Sequence, residues 1–162
     1  MSGICIIGLG SLHGDDQLGW ELVRLLESEA VTDGVDSSLR LFACRSVGGA
    51  VLETWKDTEL AIIIDAIRSG ATPGTILRIA LHPQQDPSEL DIVRTLSSHG
   101  IDLHELIEIA IAIDELPPRV LFYGVEMDAC TPFGSMSPTV CAVLPDLARA
   151  VHAEIFAACT PA

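Results

Sequence analysis

The chain has 162 residues, a formal charge of −14 at neutral pH, 49% hydrophobic residues and only 4% aromatic ones. That length fits a single domain spanning residues 1–162, with a core built from Ile, Leu, Val and Ala, and the composition excludes a disordered chain. Strong negative charge, with no Lys/Arg cluster against it, excludes nucleic acid and anionic membrane as partners. No apolar stretch approaches the roughly 20 residues needed to cross a bilayer, and the start Met1–Cys5 lacks the basic n-region of a signal peptide, so the expected location is the cytoplasm.

Taken in chain order, Ile4–Ile7 is a short apolar run ended by Gly8-Leu9-Gly10, the pattern of a parallel strand buried on both faces. A helix is predicted next, capped by Asp15, with Leu18, Leu22, Leu25 and Leu26 at helical spacing up to about Ala30. Turn residues follow from Val31 to Ser38, and Leu39–Cys44 reads as a second strand. Gly48-Gly49 precedes a short helix through Trp55. Leu60–Asp65 is the most continuous apolar strand and the candidate for the centre of the sheet, while Thr75–Leu81 alternates enough for an edge strand. The polar stretch from His82 to Ser98, with Pro83 and Pro87, reads as an extended surface connection.

From Ile101 to Ile113 the positions Leu103, Leu106, Ile107, Ala110 and Ile111 form a helical stripe stopped by Pro117-Pro118. Val120–Val125 is a fifth strand. Ser137-Pro138-Thr139 opens the last helical stripe, which runs to Ala158 with a kink or break at Pro145. Strands alternating with helices predict an α/β fold, a three-layer α/β/α sandwich around a mostly parallel five-stranded sheet. Ligands bind beyond the carboxyl ends of the strands in such folds.

Three residues suit a metal: Asp16 after the first strand and Asp65 at the end of the central one fall at that edge, and His99 lies in Ser97-Ser98-His99-Gly100. Two carboxylates and an imidazole form an oxygen/nitrogen set for a divalent cation with open positions for water or substrate. Asp15 and Asp16 also have a bland use as a helix cap and a first-turn acid, and His99 as a loop or cap histidine. His99 reaches the two acids only if the segment before it folds over the edge. Asp65 is harder to explain away, because an acid directly after Ile62-Ile63-Ile64 is costly when buried without a partner. His13, in the glycine loop, is a further ligand or substrate contact to consider, whereas His82, His104 and His152 are expected at the surface.

Gly8-Leu9-Gly10 raises a nucleotide-binding reading, but a dinucleotide fingerprint needs glycine where His13 stands, and two acids oppose a pyrophosphate. The second strand ends in Cys44-Arg45 without the acid that would hold a ribose, though Arg45 suits a 2′-phosphate. Five widely spaced cysteines without a C-x-x-C pair signal neither a disulfide framework nor a structural zinc site.

In order and spacing, Ile7-Gly8-Leu9-Gly10-Ser11-Leu12-His13-Gly14-Asp15-Asp16-Gln17-Leu18-Gly19, Ile63-Ile64-Asp65-Ala66, Ser98-His99, Tyr123-Gly124-Val125-Glu126 and Ser137-Pro138-Thr139-Val140 together resemble the [NiFe]-hydrogenase maturation proteases. The resemblance covers nearly the whole chain. It implies a phosphorylase/hydrolase-like α/β/α sandwich and an endopeptidase that trims the C-terminal extension of a hydrogenase large-subunit precursor. It also implies nickel carried by that substrate, held by Asp16, Asp65 and His99 as metal ligands and catalytic residues, with other divalent metals able to occupy the place. The first acid is usually Glu in that family and is Asp here, Ser11 replaces the usual Asn, and Cys44–Gly49 replaces an Asp-Gly-Gly loop, as in a divergent branch. Alternatives are a catalytically silent member that binds a metal or a partner, and the nucleotide-binding module.

Overall fold

The computed structural model describes residues 3–33, 38–46, 48–82, 84 and 86–160. Five strands, β1 (Gly3–Leu9), β2 (Leu39–Cys44), β3 (Thr58–Ile67), β4 (Ile76–Leu81) and β5 (Arg119–Glu126), form one sheet in the order β2-β1-β3-β5-β4. The first three and β5 are parallel, and β4 closes one edge antiparallel to β5. β3 is the middle strand, with Ile63 between Ile7 of β1 and Phe122 of β5. Its apolar run fits that place, since a central parallel strand is covered on both faces.

Among the described residues six α-helices cover the sheet: α1 (Leu18–Asp33), α2 (Gly49–Trp55), α3 (Ser88–Leu96), α4 (Gly100–Ala112), α5 (Pro138–Cys141) and α6 (Leu144–Cys159). Alternate side chains of each strand feed two separate cores. Cys5, Ile7, Ala61, Ile63, Val120 and Phe122 pack with α2, α3 and α4 through Val51, Trp55, Leu90, Val93, Leu103 and Ile107. On the other face Ile4, Ile6, Leu60, Ile62, Ile64 and Leu121 meet Leu18 and Leu22 of α1, Val140 of α5, and Leu147 and Val151 of α6. At about 1.5–3 kcal/mol for each fully buried large aliphatic side chain, these two layers are the main source of cohesion.

One element differs from the expectation. His82–Ser98 is not simply an extended connection, because α3 occupies Ser88–Leu96. Pro87 sits at its N-cap, where a missing N–H costs nothing, and Leu90 and Val93 bury one narrow stripe. The final stripe is divided into α5 and α6, with Pro145 in the first turn of α6, the break expected there. Of the turn predicted from Val31 to Ser38, positions 34–37 lie outside the described residues, and α1 extends to Asp33.

The chain leaves β1 for β2 on one side and later reaches β3 on the other, so the order reverses between β1 and β3. In open α/β sheets a crevice at such a switch point is the preferred ligand site. The carboxyl ends of these two strands carry Asp16 and Asp65.

Candidate metal centre

β1 runs into a 3-10 turn, Gly14–Gln17, that brings Asp16 back toward the strand end. Gly14 has φ of +55°, and a Cβ there would lie 2.7 Å from the Ala129 carbonyl oxygen, so this turn requires glycine. Asp15 and Asp16 point to different partners. The Asp15 carboxylate does not cap α1. It accepts from the backbone N–H groups of Asp128 (2.8 Å), Ala129 (2.8 Å) and Ser137 (2.6 Å) and from the Ser137 hydroxyl (3.0 Å). Burial alone would push its carboxyl up, but these donors outweigh it and hold Asp15 below the usual carboxylate range.

Asp16 accepts from Ser11 Oγ at 2.5 Å and from Ser98 Oγ at 2.7 Å. Asp65 lies within β3 and is fully buried. It accepts from Ser97 Oγ, from the Ala66 N–H at 2.9 Å and from the His99 N–H at 3.3 Å. His99 stands at the N-cap of α4 but its side chain caps nothing. Its Nδ1 instead lies 3.1 Å from both Asp65 oxygens and 3.0 Å from Ser98 Oγ.

The segment before α4 makes this possible. Arg68 N–H donates to the Leu96 carbonyl at 3.0 Å, and Ser97 forms a bridge with Ile67, so the end of α3 is stitched to the end of β3. The condition that the connection fold over the sheet edge is therefore met by α3.

One ligand atom from each of Asp16, Asp65 and His99 lies within 4.8 Å of the others. Among the described residues neither carboxylate pairs with a Lys or Arg. Two buried acids compensated by hydroxyls and one imidazole, without a fixed cation, form a donor set suited to a divalent metal.

His13 does not join this group. Its Nδ1 accepts from the Phe133 N–H at 3.3 Å, and its ring meets the Phe133 ring edge-on at 5.3 Å. His104 is less exposed than expected, at 17%, and lies near Asp91 and Glu108, whereas His82 and His152 are exposed. Arg45 lies over the Trp20 ring at 5.9 Å. The glycines that suggested a nucleotide loop serve backbone packing: a Cβ on Gly8 would lie 2.0 Å from the Gly19 carbonyl oxygen, and one on Gly10 2.7 Å from that of Asp16.

Sequence reasoning overlooked the hydroxyls of Ser11, Ser97 and Ser98 and the buried Glu126. Glu126 accepts from Ser69 Oγ at 2.6 Å and from the N–H groups of Ser69 and Gly70. Burial would raise its carboxyl, but these bonds and the Arg68 charge hold it below its ordinary value. Its signal was the one recognised at Asp65, an acid directly after an apolar strand.

A family model described as hydrogenase maturation protease (HycI) matches residues 23–154, a span that includes Asp65 and His99 and begins after Asp16. The chain is 25% identical over 139 residues to the hydrogenase expression/formation protein HupD of Rhodobacter capsulatus, covering 85% of this chain and 63% of that one. It is 24% identical to HupD of Thiocapsa roseopersicina over 85% of this chain and 60% of that one, so it spans less than two thirds of the length of these relatives. Its fold is similar to that of the hydrogenase maturating endopeptidase HybD from E. coli, with a TM-score of 0.80, 21% identity and 97% and 94% of the two chains covered. The [NiFe] hydrogenase maturation protease HybD from Thermococcus kodakarensis superposes with a TM-score of 0.73 at 18% identity, over 93% and 97% of the chains. With a family model matched over residues 23–154, most of its length, the chain belongs to the hydrogenase maturation protease family.

Proposed function

We propose that this protein is a cytoplasmic endopeptidase that removes the C-terminal extension of a [NiFe]-hydrogenase large-subunit precursor after nickel has been inserted. The observation that carries the reading is the convergence of Asp16, Asp65 and His99 at the switch point of the sheet. Nickel arrives as part of the substrate. Asp16, Asp65 and His99 hold it, and through it register the scissile segment against the sheet edge. When bound there, nickel supplies Lewis-acid polarisation of the peptide group beside it.

The chain's own contribution is an acidic, oxygen-rich receptor kept in shape by Ser11, Ser97 and Ser98. The charge of −14 favours approach of a cationic centre and disfavours nucleic acid. Among the described residues no helix is long and apolar enough to cross a membrane.

The test is intact-mass analysis of the large-subunit precursor, nickel-loaded or nickel-free, after incubation with this protein or its His99→Ala variant. Loss of a short C-terminal peptide is expected only from the nickel-loaded precursor and only with the unaltered protein. An unchanged mass for a precursor that cell extract does process would overturn the protease reading and favour a silent binder.

A further inference from the structure

Ser98 is the residue of the cluster whose side chain reaches all three candidate ligands. Its Oγ is 2.7 Å from Asp16 Oδ1, 3.2 Å from Asp65 Oδ1 and 3.0 Å from His99 Nδ1. The neighbouring hydroxyls are placed differently. Ser11 Oγ touches Asp16 on its other oxygen, and Ser97 Oγ touches Asp65 Oδ2 and the His99 backbone N–H. Those two hold single carboxylates, whereas Ser98 stands where the ligand atoms converge.

The spacing decides what such a hydroxyl can do. Donors bound about 2.1 Å from an octahedral cation lie about 3.0 Å from their cis neighbours, against about 3.4 Å around a tetrahedral one. The Oγ separations of 2.7 Å to Asp16 Oδ1, 3.2 and 3.4 Å to the two Asp65 oxygens and 3.0 Å to His99 Nδ1 extend over the range that neighbouring donors around such a cation take. Ser98 is also exposed as a residue, while Asp16 and Asp65 are buried, so it stands on the open side by which a cation enters.

We propose that Ser98 is a fourth donor of the site: its hydroxyl oxygen turns its lone pairs to a divalent cation seated between Asp16, Asp65 and His99. The hydroxyl hydrogen, which bonds to a carboxylate in the empty arrangement, swings outward to solvent or substrate when the cation enters. No proton leaves and no bond breaks. A neutral hydroxyl completes the set without adding charge, which suits a receptor that grips nickel on a substrate and then lets it go. The inference rests on reading Asp16, Asp65 and His99 as the cation site.

Cobalt(II) is the probe. In Ser98→Cys a sulfur takes the place of Oγ, and thiolates bind such cations readily. Titration with cobalt is expected to produce a thiolate-to-cobalt charge-transfer band that saturates at one equivalent. The unaltered protein, whose own cysteines supply the background, should lack it, and so should Ser98→Cys combined with His99→Ala. A companion pair separates coordination from packing: Ser98→Thr, which keeps the hydroxyl, should bind cobalt as the unaltered protein does, and the near-isosteric Ser98→Val about tenfold more weakly. Bound cobalt without the band, or equal affinities for Thr and Val, would overturn the role of Ser98 alone. If the cysteine variant does not fold, the Thr/Val pair decides. Failure of the unaltered protein to take up cobalt even at millimolar concentration would overturn the three-residue site together with Ser98.

Discussion

Asp15 and Asp16 are chain neighbours with opposite work. Asp15 is spent on structure, since four donors from the segment after β5 converge on its carboxylate. Asp16 receives two hydroxyls and faces Ser98 and the site. Replacing Asp15 by Ala leaves buried donors unmet, a loss of about 2–4 kcal/mol, and a thermal melt should fall by several degrees. Asp16→Ala removes a carboxylate that shares the Ser98 hydroxyl with the buried Asp65 carboxylate, and its two hydroxyl donors can rotate to other acceptors, so its melt should stay close to that of the unaltered protein while divalent-cation binding disappears. Equal melts for the two variants would refute this division of labour. The sequence reading left one of the pair free for a ligand role. It misjudged the other, because the partners of Asp15 begin 113 residues downstream, beyond the reach of any local capping pattern.

The contact between α1 and β1 is closer than side chains permit. A Cβ on Gly19 would lie 2.2 Å from the Leu9 carbonyl oxygen and 2.7 Å from the Leu9 nitrogen, and neither backbone atom can rotate away. Gly19→Ala must therefore lift α1 from the sheet, at about 1–3 kcal/mol, and disturb the turn that aims Asp16. Gly49→Ala is the control, because nothing lies within 4 Å of a Cβ there, and its stability should be unchanged or slightly raised. Chemical denaturation of both variants checks the contrast, and equal losses would refute the packing argument. The glycines were legible as a motif but not as a packing device, since their reason is each other. The strands were readable because most are compact apolar runs and the edge strand Thr75–Leu81 alternates. α3 was hidden by the two prolines that precede it in sequence, Pro83 and Pro87, and by a buried stripe of only Leu90 and Val93 in nine residues.

Over the whole molecule, the sheet edge that carries the candidate site is held by acids that act as latches. Asp15 ties the turn before α1 to the segment after β5, and Glu126 ties the end of β5 to the loop before β4. Both carboxyls sit below their ordinary values in the folded state. Unfolded, they titrate near pH 4, so their stabilisation is complete above about pH 5 and is lost as pH falls through the lower folded values. Hydrogen bonds within the two latches then weaken together, and with them the walls around Asp16, Asp65 and His99. Unfolding free energies from urea titrations at pH 7, 5, 4 and 3 should fall steeply below pH 5 for the unaltered protein. Asp15→Ala and Glu126→Gln should each start lower at pH 7 and lose less on acidification, because the group whose protonation drives the loss is gone. Curves parallel to that of the unaltered protein would mean that acid acts elsewhere, and that these two buried carboxylates are not the fastenings of the edge around Asp16, Asp65 and His99.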